Sequence, residues 1–443
     1  MMPQPHIIKG FSKLSRGEKL DWLQRQAIIS EESYRQLNGH LHPDPFLQEI
    51  YEGISENTVS NFFLPFGLAP NFLINGDLMT LPMVTEESSV VAAASHAARF
   101  WALHGGFHAV VLDTLRVGQV HFTWTGREEA LFGAFDRIRE ALKQSVRPLT
   151  YRMEQRGGGV ETIRLQPGNR EIPGYYQLVV TFRTGDAMGA NFINSVLEAI
   201  ASGFASRVGS METDGELSII MAILSNYTPE SRVTCTVEGD TKIFGEMDRQ
   251  MSGSEFARKF KLAVDIAGKD PYRAVTHNKG IFNGMDAVVI ATGNDFRAVE
   301  ACGHAYAARN GRYASLSRAE LTGSSFRFIL EIPLALGTVG GLTGLHPIAN
   351  TSLEILGHPS SEKLMQIVAA AGLANNFSAV RSLITTGIQH GHMKMHLGNI
   401  LRQLKASPAE KEMAEAHFRE RIISYAAVVR YLESIRSESK KDE

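Results

Sequence analysis

The sequence predicts a mixed α/β and α+β fold: a large domain, a smaller β-α-β-β-α-β (ferredoxin-like) domain inserted into it, and a C-terminal helical flap. Three observations carry this. At 443 residues the chain is too long for one core of ordinary size and suits two or three. Between residues 113 and 226 the apolar periodicity alternates between strand and helix in the order of a split βαββαβ unit. The chain then closes on a stretch that opens with a helix-start signature. The expected boundaries are 1–112 with 227–386 for the large domain, 113–226 for the insert and 387–443 for the flap.

From the N-terminus, Leu20, Leu23 and Ala27 give helical spacing across Ser15–Arg35, and a His- and Pro-rich loop, His40–Pro45, follows. Val90, Val91, Ala94, Ala97, Ala98 and Trp101 form the apolar face of a helix expected over Val84–Leu103, which Gly105 and Gly106 end. In the insert, Val120, Phe122 and Trp124 alternate as a strand. Leu131, Phe135, Ile138 and Leu142 stripe a helix, and Val160–Leu165 and Tyr176–Phe182 are strands. Phe192, Val196, Ile200 and Phe204 stripe a second helix, and Leu217–Leu224 is the last strand. In the C-terminal part, Ser407-Pro408-Ala409-Glu410 reads as a capping box with Pro at the first helical position.

Composition narrows the function. Hydrophobic residues are 44%, charged residues 21% and the formal net charge is −2, so a nucleic-acid partner finds no basic stripe. The two cysteines, Cys235 and Cys302, fit free thiols in a reducing compartment. Met1–Lys9 lacks the apolar core of a secretion signal, and Ser95, His96, Arg99 and His104 interrupt the apolar stretch near Val90. A cytoplasmic chain with no membrane partner is expected.

Five short segments hold residues with chemistry. In Thr85-Glu86-Glu87-Ser88-Ser89, acids precede a helix; alone they meet the helix dipole, or one of them donates a proton. In Asp270–Gly280, Arg273 and Lys279 are solvated charges, or a carboxylate clamp and an oxyanion stabiliser. In Ala291-Thr292-Gly293-Asn294-Asp295 the aspartate caps a helix, or tunes neighbouring acid and base groups. Gly185-Asp186-Ala187-Met188-Gly189-Ala190-Asn191 opens a helix after a strand, a context for a phosphate or for a plain turn; it is not GxGxxG. His390, His392 and His396 offer ligand spacing for zinc without the HExxH glutamate, and a lone histidine there suits protonation of a thiolate.

Together these blocks resemble the hydroxymethylglutaryl-coenzyme A reductases, in their soluble bacterial class II. Pro82–Glu87, Asp186–Asn191, Thr276–Gly280, Ala291–Asp295 and Gly387–Met393 occur in the family's order, with Leu224-Ser225-Asn226 and Val339-Gly340-Gly341 between them. The resemblance implies reduction of hydroxymethylglutaryl-coenzyme A to mevalonate and coenzyme A by two NADPH or NADH, through a hemithioacetal and mevaldehyde, with no metal. It implies Glu87 as catalytic acid, Lys279 as oxyanion stabiliser, Asp295 as organiser of that pair and His392 as the proton donor to the leaving thiolate. It places Ser89, Arg273 and Asn283 by the substrate, and Asp186, Met188, Gly189, Asn191 and Asn226 by the cofactor. It also implies a homodimer, or an assembly of dimers, with the site at the subunit interface.

Three departures stand out. The block Glu56-Asn57-Thr58-Val59-Ser60 lacks the family's final glycine. The coenzyme A arginine of some relatives is Ser12 here, beside Lys13. Thr150 stands where NADH-preferring relatives carry an aspartate, with Arg152 and Arg156 nearby, which favours NADPH. The rival readings are a metal hydrolase built on His390, His392 and His396, and a non-catalytic acyl-coenzyme A binding module.

Overall fold

A computed structural model describes residues 7–211, 214–247, 251–385, 397–419, 421 and 423–439. The N-terminal elements are α1 (Arg16–Arg25), α2 (Glu31–Gly39) and α3 (Pro45–Ile54). The helix expected over Ser15–Arg35 is thus two. Ser15 closes a capping box on α1, Ala27 turns into the left-handed region at φ 52°, exposed, and Ser30 caps α2. Next come β1 (Phe66–Ile74), β2 (Asp77–Val84), α4 (Val90–Ala102) and β3 (His108–Val111). The expected helix from Val84 therefore starts later, because residues up to Val84 pair with β1 in an antiparallel hairpin. Of its expected face, Val90, Ala94, Ala97, Ala98 and Trp101 are inside and Val91 is half-buried.

The middle of the chain holds β4 (Arg116–Trp124), α5 (Glu128–Ser145), α6 (Arg147–Glu154), β5 (Gly159–Pro167), β6 (Tyr175–Arg183), α7 (Ala190–Gly209) and β7 (Leu217–Ser225). Every pairing in this sheet is antiparallel and the strand order is β5-β6-β4-β7. Two strand–helix–strand crossovers interleaved in this way give a split βαββαβ sheet, with α6 added before β5. Leu131, Phe135, Ile138 and Leu142 of α5 and Val196, Ile200 and Phe204 of α7 join Val120, Phe122, Val180 and Phe182 in a core of their own.

The chain continues with β8 (Arg232–Asp240), α8 (Gly253–Ala267), α9 (Pro271–Ala291), α10 (Phe296–Ala307), β9 (Ser317–Thr322), β10 (Ser325–Pro333), α11 (Leu342–Leu345), α12 (Pro347–Ile355) and α13 (Ser361–Ile384). Strands β3-β8-β10-β9 form a second antiparallel sheet. The largest core joins residues of α4, α8, α9 and α13 to this sheet. By length and composition α13 could cross a membrane, yet 72% of its apolar window is buried inside the protein. It is a core helix. Its contact with α9 brings the backbones together: a Cβ on Gly284 would stand 2.3 Å from the Ala371 carbonyl oxygen. Only glycine lets two helix backbones approach so closely.

The C-terminal unit holds α14 (397–403), α15 (Pro408–His417) and α16 (Tyr425–Ser439). The expected capping box at Ser407 and Glu410 is present. Leu397, Leu401, Phe418, Val428 and Leu432 form a third, separate core. His390, His392 and His396 lie outside the described residues. The glycine missing at Ser60 costs no strain, since Ser60 is not among the residues at positive φ, and its hydroxyl donates to the Leu37 carbonyl at 2.6 Å.

Candidate active site

The turn between β2 and α4 carries Glu87. Its N–H donates to Thr85 Oγ1 at 3.2 Å, which fixes the turn and directs the carboxylate at α9. Lys279 Nζ donates to Glu87 Oε2 at 2.6 Å and Asn283 Nδ2 to the same oxygen at 3.3 Å. Ser89 Oγ donates to Oε1 at 3.4 Å. Lys279 and Asn283 are four residues apart on one helix, so they present to the same face. Four of the residues named from the sequence thus meet at one carboxylate, on elements rooted in the largest core. Arg273 lies on the first turn of the same helix, half-buried.

Two buried side chains of α9 anchor the lysine from behind. Asn278 donates to the Ala314 carbonyl at 3.0 Å and accepts from the Leu316 N–H at 3.0 Å. His277 Nε2 stands 2.6 Å from Ser317 Oγ. Ser317 gives its own proton to Asn376 Oδ1 at 2.8 Å, so His277 Nε2 must be the donor. His277 Nδ1 is then an unprotonated, buried atom with no hydrogen-bond partner among the described residues. A proton there would have no acceptor in a desolvated site. Burial, and then the Arg273 charge, push the His277 pKa down to about 3.

Asp295 holds a different position. It is the N-cap of α10, accepting from the N–H groups of Arg297 at 3.0 Å and Ala298 at 3.2 Å, and it pairs with the Arg297 guanidinium at 3.2 Å. Burial raises its pKa, but the Arg297 side chain and the backbone N–H groups outweigh this and hold it below the usual range. Its hydrogen bonds run to Arg297 and Ala298 and not to Lys279. The preceding residues explain the motif's spelling. Gly293 at φ 70° and Asn294 return their N–H groups to the carbonyls of Ile290 (3.0 Å) and Val289 (2.9 Å), a Schellman end for α9 that leads directly into the Asp295 cap.

The segment Gly185–Asn191 lies at the junction of the two sheets. Gly189, at φ 84°, is the N-cap of α7, and a Cβ there would stand 2.5 Å from Thr184 Cγ2. Asp186 Oδ1 accepts from the Ser361 N–H at 2.7 Å, at the start of α13. Thr184, Gly185, Asp186 and Arg156 help to line a cavity of about 500 Å³, a size that suits part of a dinucleotide. Met188 and Asn226 meet at a smaller cavity of about 20 Å³ that Arg116 also lines. Asn191 is exposed on the first turn of α7. Thr150 is buried and donates to Glu154 at 2.5 Å; it faces into α6, whereas Arg156 reaches the cavity. Sequence reasoning missed Arg116, Thr184 and Ser361. Only Ser361 had a signal, because Ser360 caps α13 with an acid two residues on.

The class of the protein follows from its relatives: it is an NAD(P)H-dependent oxidoreductase. The family model for hydroxymethylglutaryl-coenzyme A reductase matches residues 19–397, and the chain belongs to that family. It is 36% identical to the 3-hydroxy-3-methylglutaryl-coenzyme A reductase of Archaeoglobus fulgidus, over 89% of this chain and 86% of that one. It is 32% identical to a probable enzyme of the same name in Borreliella burgdorferi, over 87% of each chain. A class II 3-hydroxy-3-methylglutaryl-CoA reductase from Streptococcus pneumoniae, bound to NADPH in open conformations, superposes with a TM-score of 0.71 at 37% identity, covering 85% of this chain and 99% of that one. A second structure of the Streptococcus enzyme gives 0.72 at 36% identity, covering 96% and 99%. Family membership removes the metal hydrolase and the silent binding module as readings.

The state of His277 has a measurable consequence. Its folded pKa lies below its unfolded value near 6.5, so the unfolded chain binds the extra proton. Its contribution to stability is therefore complete above about pH 6.5 and is lost as pH falls towards 3, by up to about 1.4 kcal/mol per unit. Denaturant unfolding of His277→Asn should show a shallower acid slope than the parent across that window. Equal slopes would mean that the imidazole is protonated in place.

Proposed function

We propose that Glu87, Lys279, Asp295 and His392 carry the reduction of hydroxymethylglutaryl-coenzyme A to mevalonate and free coenzyme A. The single observation behind this is the convergence of Lys279, Asn283 and Ser89 on the Glu87 carboxylate. Bound NAD(P)H supplies one hydride to the thioester carbonyl and a second to the aldehyde. The protein's work is on the oxygen, the sulfur and the protons. Negative charge builds on the substrate oxygen at both reductions, and the Lys279 ammonium stabilises it most once water is excluded. Glu87 returns a proton to that oxygen. Ser89 and Asn283 orient Glu87 and the substrate's polar groups, and Arg273 takes the distal carboxylate.

Asp295 supports the pair only after leaving Arg297. That ion pair is cheap to open, since the Arg297 side chain is 78% exposed and such surface pairs contribute about 0–1 kcal/mol. His392 protonates the thiolate as the hemithioacetal collapses. The domain built on β4–β7, 113–226, takes the cofactor; 1–112 with 227–386 takes the substrate, and 387–443 closes over both.

The reading includes a homodimer, or an assembly of dimers, in a cytoplasmic setting. In the single chain the Lys279 side chain is 60% exposed, too wet for the task above. Tyr272 and Phe62, at 90% and 91% exposure, leave apolar surface for a second copy to cover. The buried free thiols Cys235 and Cys302 suit a reducing compartment. Sedimentation that finds only monomers at assay concentration contradicts the dimer.

NADPH is the preferred cofactor on this reading, through Arg156 in the 500 Å³ cavity and not through Thr150. Arg156→Glu should lower kcat/KM with NADPH and leave NADH turnover nearly unchanged. Equal losses with both cofactors would place the 2′-phosphate elsewhere.

The test of the chemistry is a pair of steady-state assays, thioester and free mevaldehyde. The parent should consume about two cofactors per mevalonate formed from the thioester. His392→Gln should lose about a hundred- to ten-thousand-fold on the thioester but far less on mevaldehyde, which has no thiolate to expel. Lys279→Ala should impair both. Equal damage to both substrates by His392→Gln would remove it from the role of thiolate acid.

A further inference from the structure

Residues 334–339, which follow β10, are fastened on three sides by groups from separate parts of the chain. Arg116, at the start of β4, donates from Nη1 to the Leu334 carbonyl at 3.2 Å and from Nη2 to the Leu336 carbonyl at 3.1 Å. Ser231 links the same parts, accepting from Arg116 Nη1 at 2.5 Å and donating to the Leu334 carbonyl at 2.7 Å. On the second side, the Gly337 N–H donates to Asn294 Oδ1 at 2.8 Å. On the third, the N–H groups of Thr338 and Val339 donate to the Asp186 carbonyl at 2.8 and 3.3 Å, and Ala187 and Val339 form a parallel bridge. At the centre a Cβ on Gly337 would stand 2.4 Å from Met188 N, so only glycine lets the segment lie this close to the loop.

One short segment thus touches the sheet of β4–β7, the loop of Asp186 and Met188, and the turn that ends on Asp295. Arg116 is a costly way to build a plain staple. It is 3% exposed, and among the described residues it has no ion pair and its Nε has no hydrogen-bond partner. Burial pushes its pKa down to about 10, still charged at neutral pH. A buried, unpaired cation carries a large desolvation cost. What a guanidinium provides over a neutral donor is a rigid fork, which fixes two carbonyls at a set spacing.

We propose that residues 334–339 form a coupling strap, and that Arg116 and Asn294 are positioning residues that set the distance between the Asp186–Met188 loop and the acid–base cluster. The inference rests on the reading of that loop as the cofactor side and of Asp295 as part of the catalytic side. Neither residue touches the reacting atoms. Asn294 acts through Gly337 and Met188 on the loop, and through the chain on Asp295. Arg116 acts through Leu334 and Leu336.

The experiment uses the full chain with Asn294→Ala, Arg116→Lys and Gly337→Ala. The readouts are kcat, KM for hydroxymethylglutaryl-coenzyme A, and the primary isotope effect on kcat with NAD(P)H deuterated at the transferred position. A displaced hydride donor should lower kcat by about tenfold or more, because small errors in approach are expensive. The isotope effect should rise as hydride transfer becomes rate-limiting, while KM for the thioester stays within about twofold. A fall in kcat with an unchanged isotope effect would make the strap a structural staple and overturn the proposal, as would an unchanged kcat. If Arg116→Lys does not fold, Asn294→Ala, at a half-buried turn, decides the matter. Lys279→Ala run alongside tests the underlying site: if it turns over like the parent, the site assignment has failed whatever the strap variants do.

Discussion

The active cluster depends on the packing of α13 against α9 and α4. Gly284 lets the α9 and α13 backbones meet, and polar side chains on α13 fix their register. Asn376 donates to the His277 carbonyl of α9 at 3.2 Å, while Asn375 and Ser378 donate to the Val90 and Ala93 carbonyls of α4 at 3.4 and 2.8 Å. Buried amides and a hydroxyl are tolerated in so apolar a helix because each has a specific partner. Since α4 follows Glu87 and α9 carries Lys279, this register places the acid opposite the lysine. At its N-terminus the same helix receives Asp186, so one element reaches both the Glu87–Lys279 pair and the Asp186 loop.

Two parts stand outside this scaffold. The Asp295–Arg297 pair is exposed, and the C-terminal unit has its own small core, separate from the other two. On the proposed mechanism, a fixed Glu87–Lys279 pair beside a C-terminal unit with a core of its own suits a two-stage reduction. The substrate must stay bound between hydrides while the cofactor is replaced, so the cofactor side needs to open without disturbing Glu87 and Lys279.

Much of this was legible in the residues. The βαββαβ insert showed itself through clean period-2 and period-3.6 stripes, since a sheet covered on one face by two helices demands them. Glu87, Lys279, Asn283 and Ser89 were named from ordered motif blocks, and the structure joins them at one carboxylate. The hairpin β1–β2 was missed: its burial does not alternate residue by residue along either strand, so no period of two marks it. Thr150 was read by its place in the sequence, but in α6 each residue turns by about 100°, which sends Thr150 inward. Arg116 left no trace, because a buried cation held by two backbone carbonyls and a serine hydroxyl has no charged partner to betray it. Asp295 was read as a possible helix cap and is one, but its pairing with Arg297 was not foreseen, since a cap and a catalytic organiser share one spelling.

The most direct test of the account is a double-mutant cycle between Glu87 and Lys279 on kcat/KM for mevaldehyde reduction. If the 2.6 Å pair works as one unit, Glu87→Gln combined with Lys279→Ala should be little worse than the more damaging single change. Losses that simply multiply would show two independent groups and contradict the central claim.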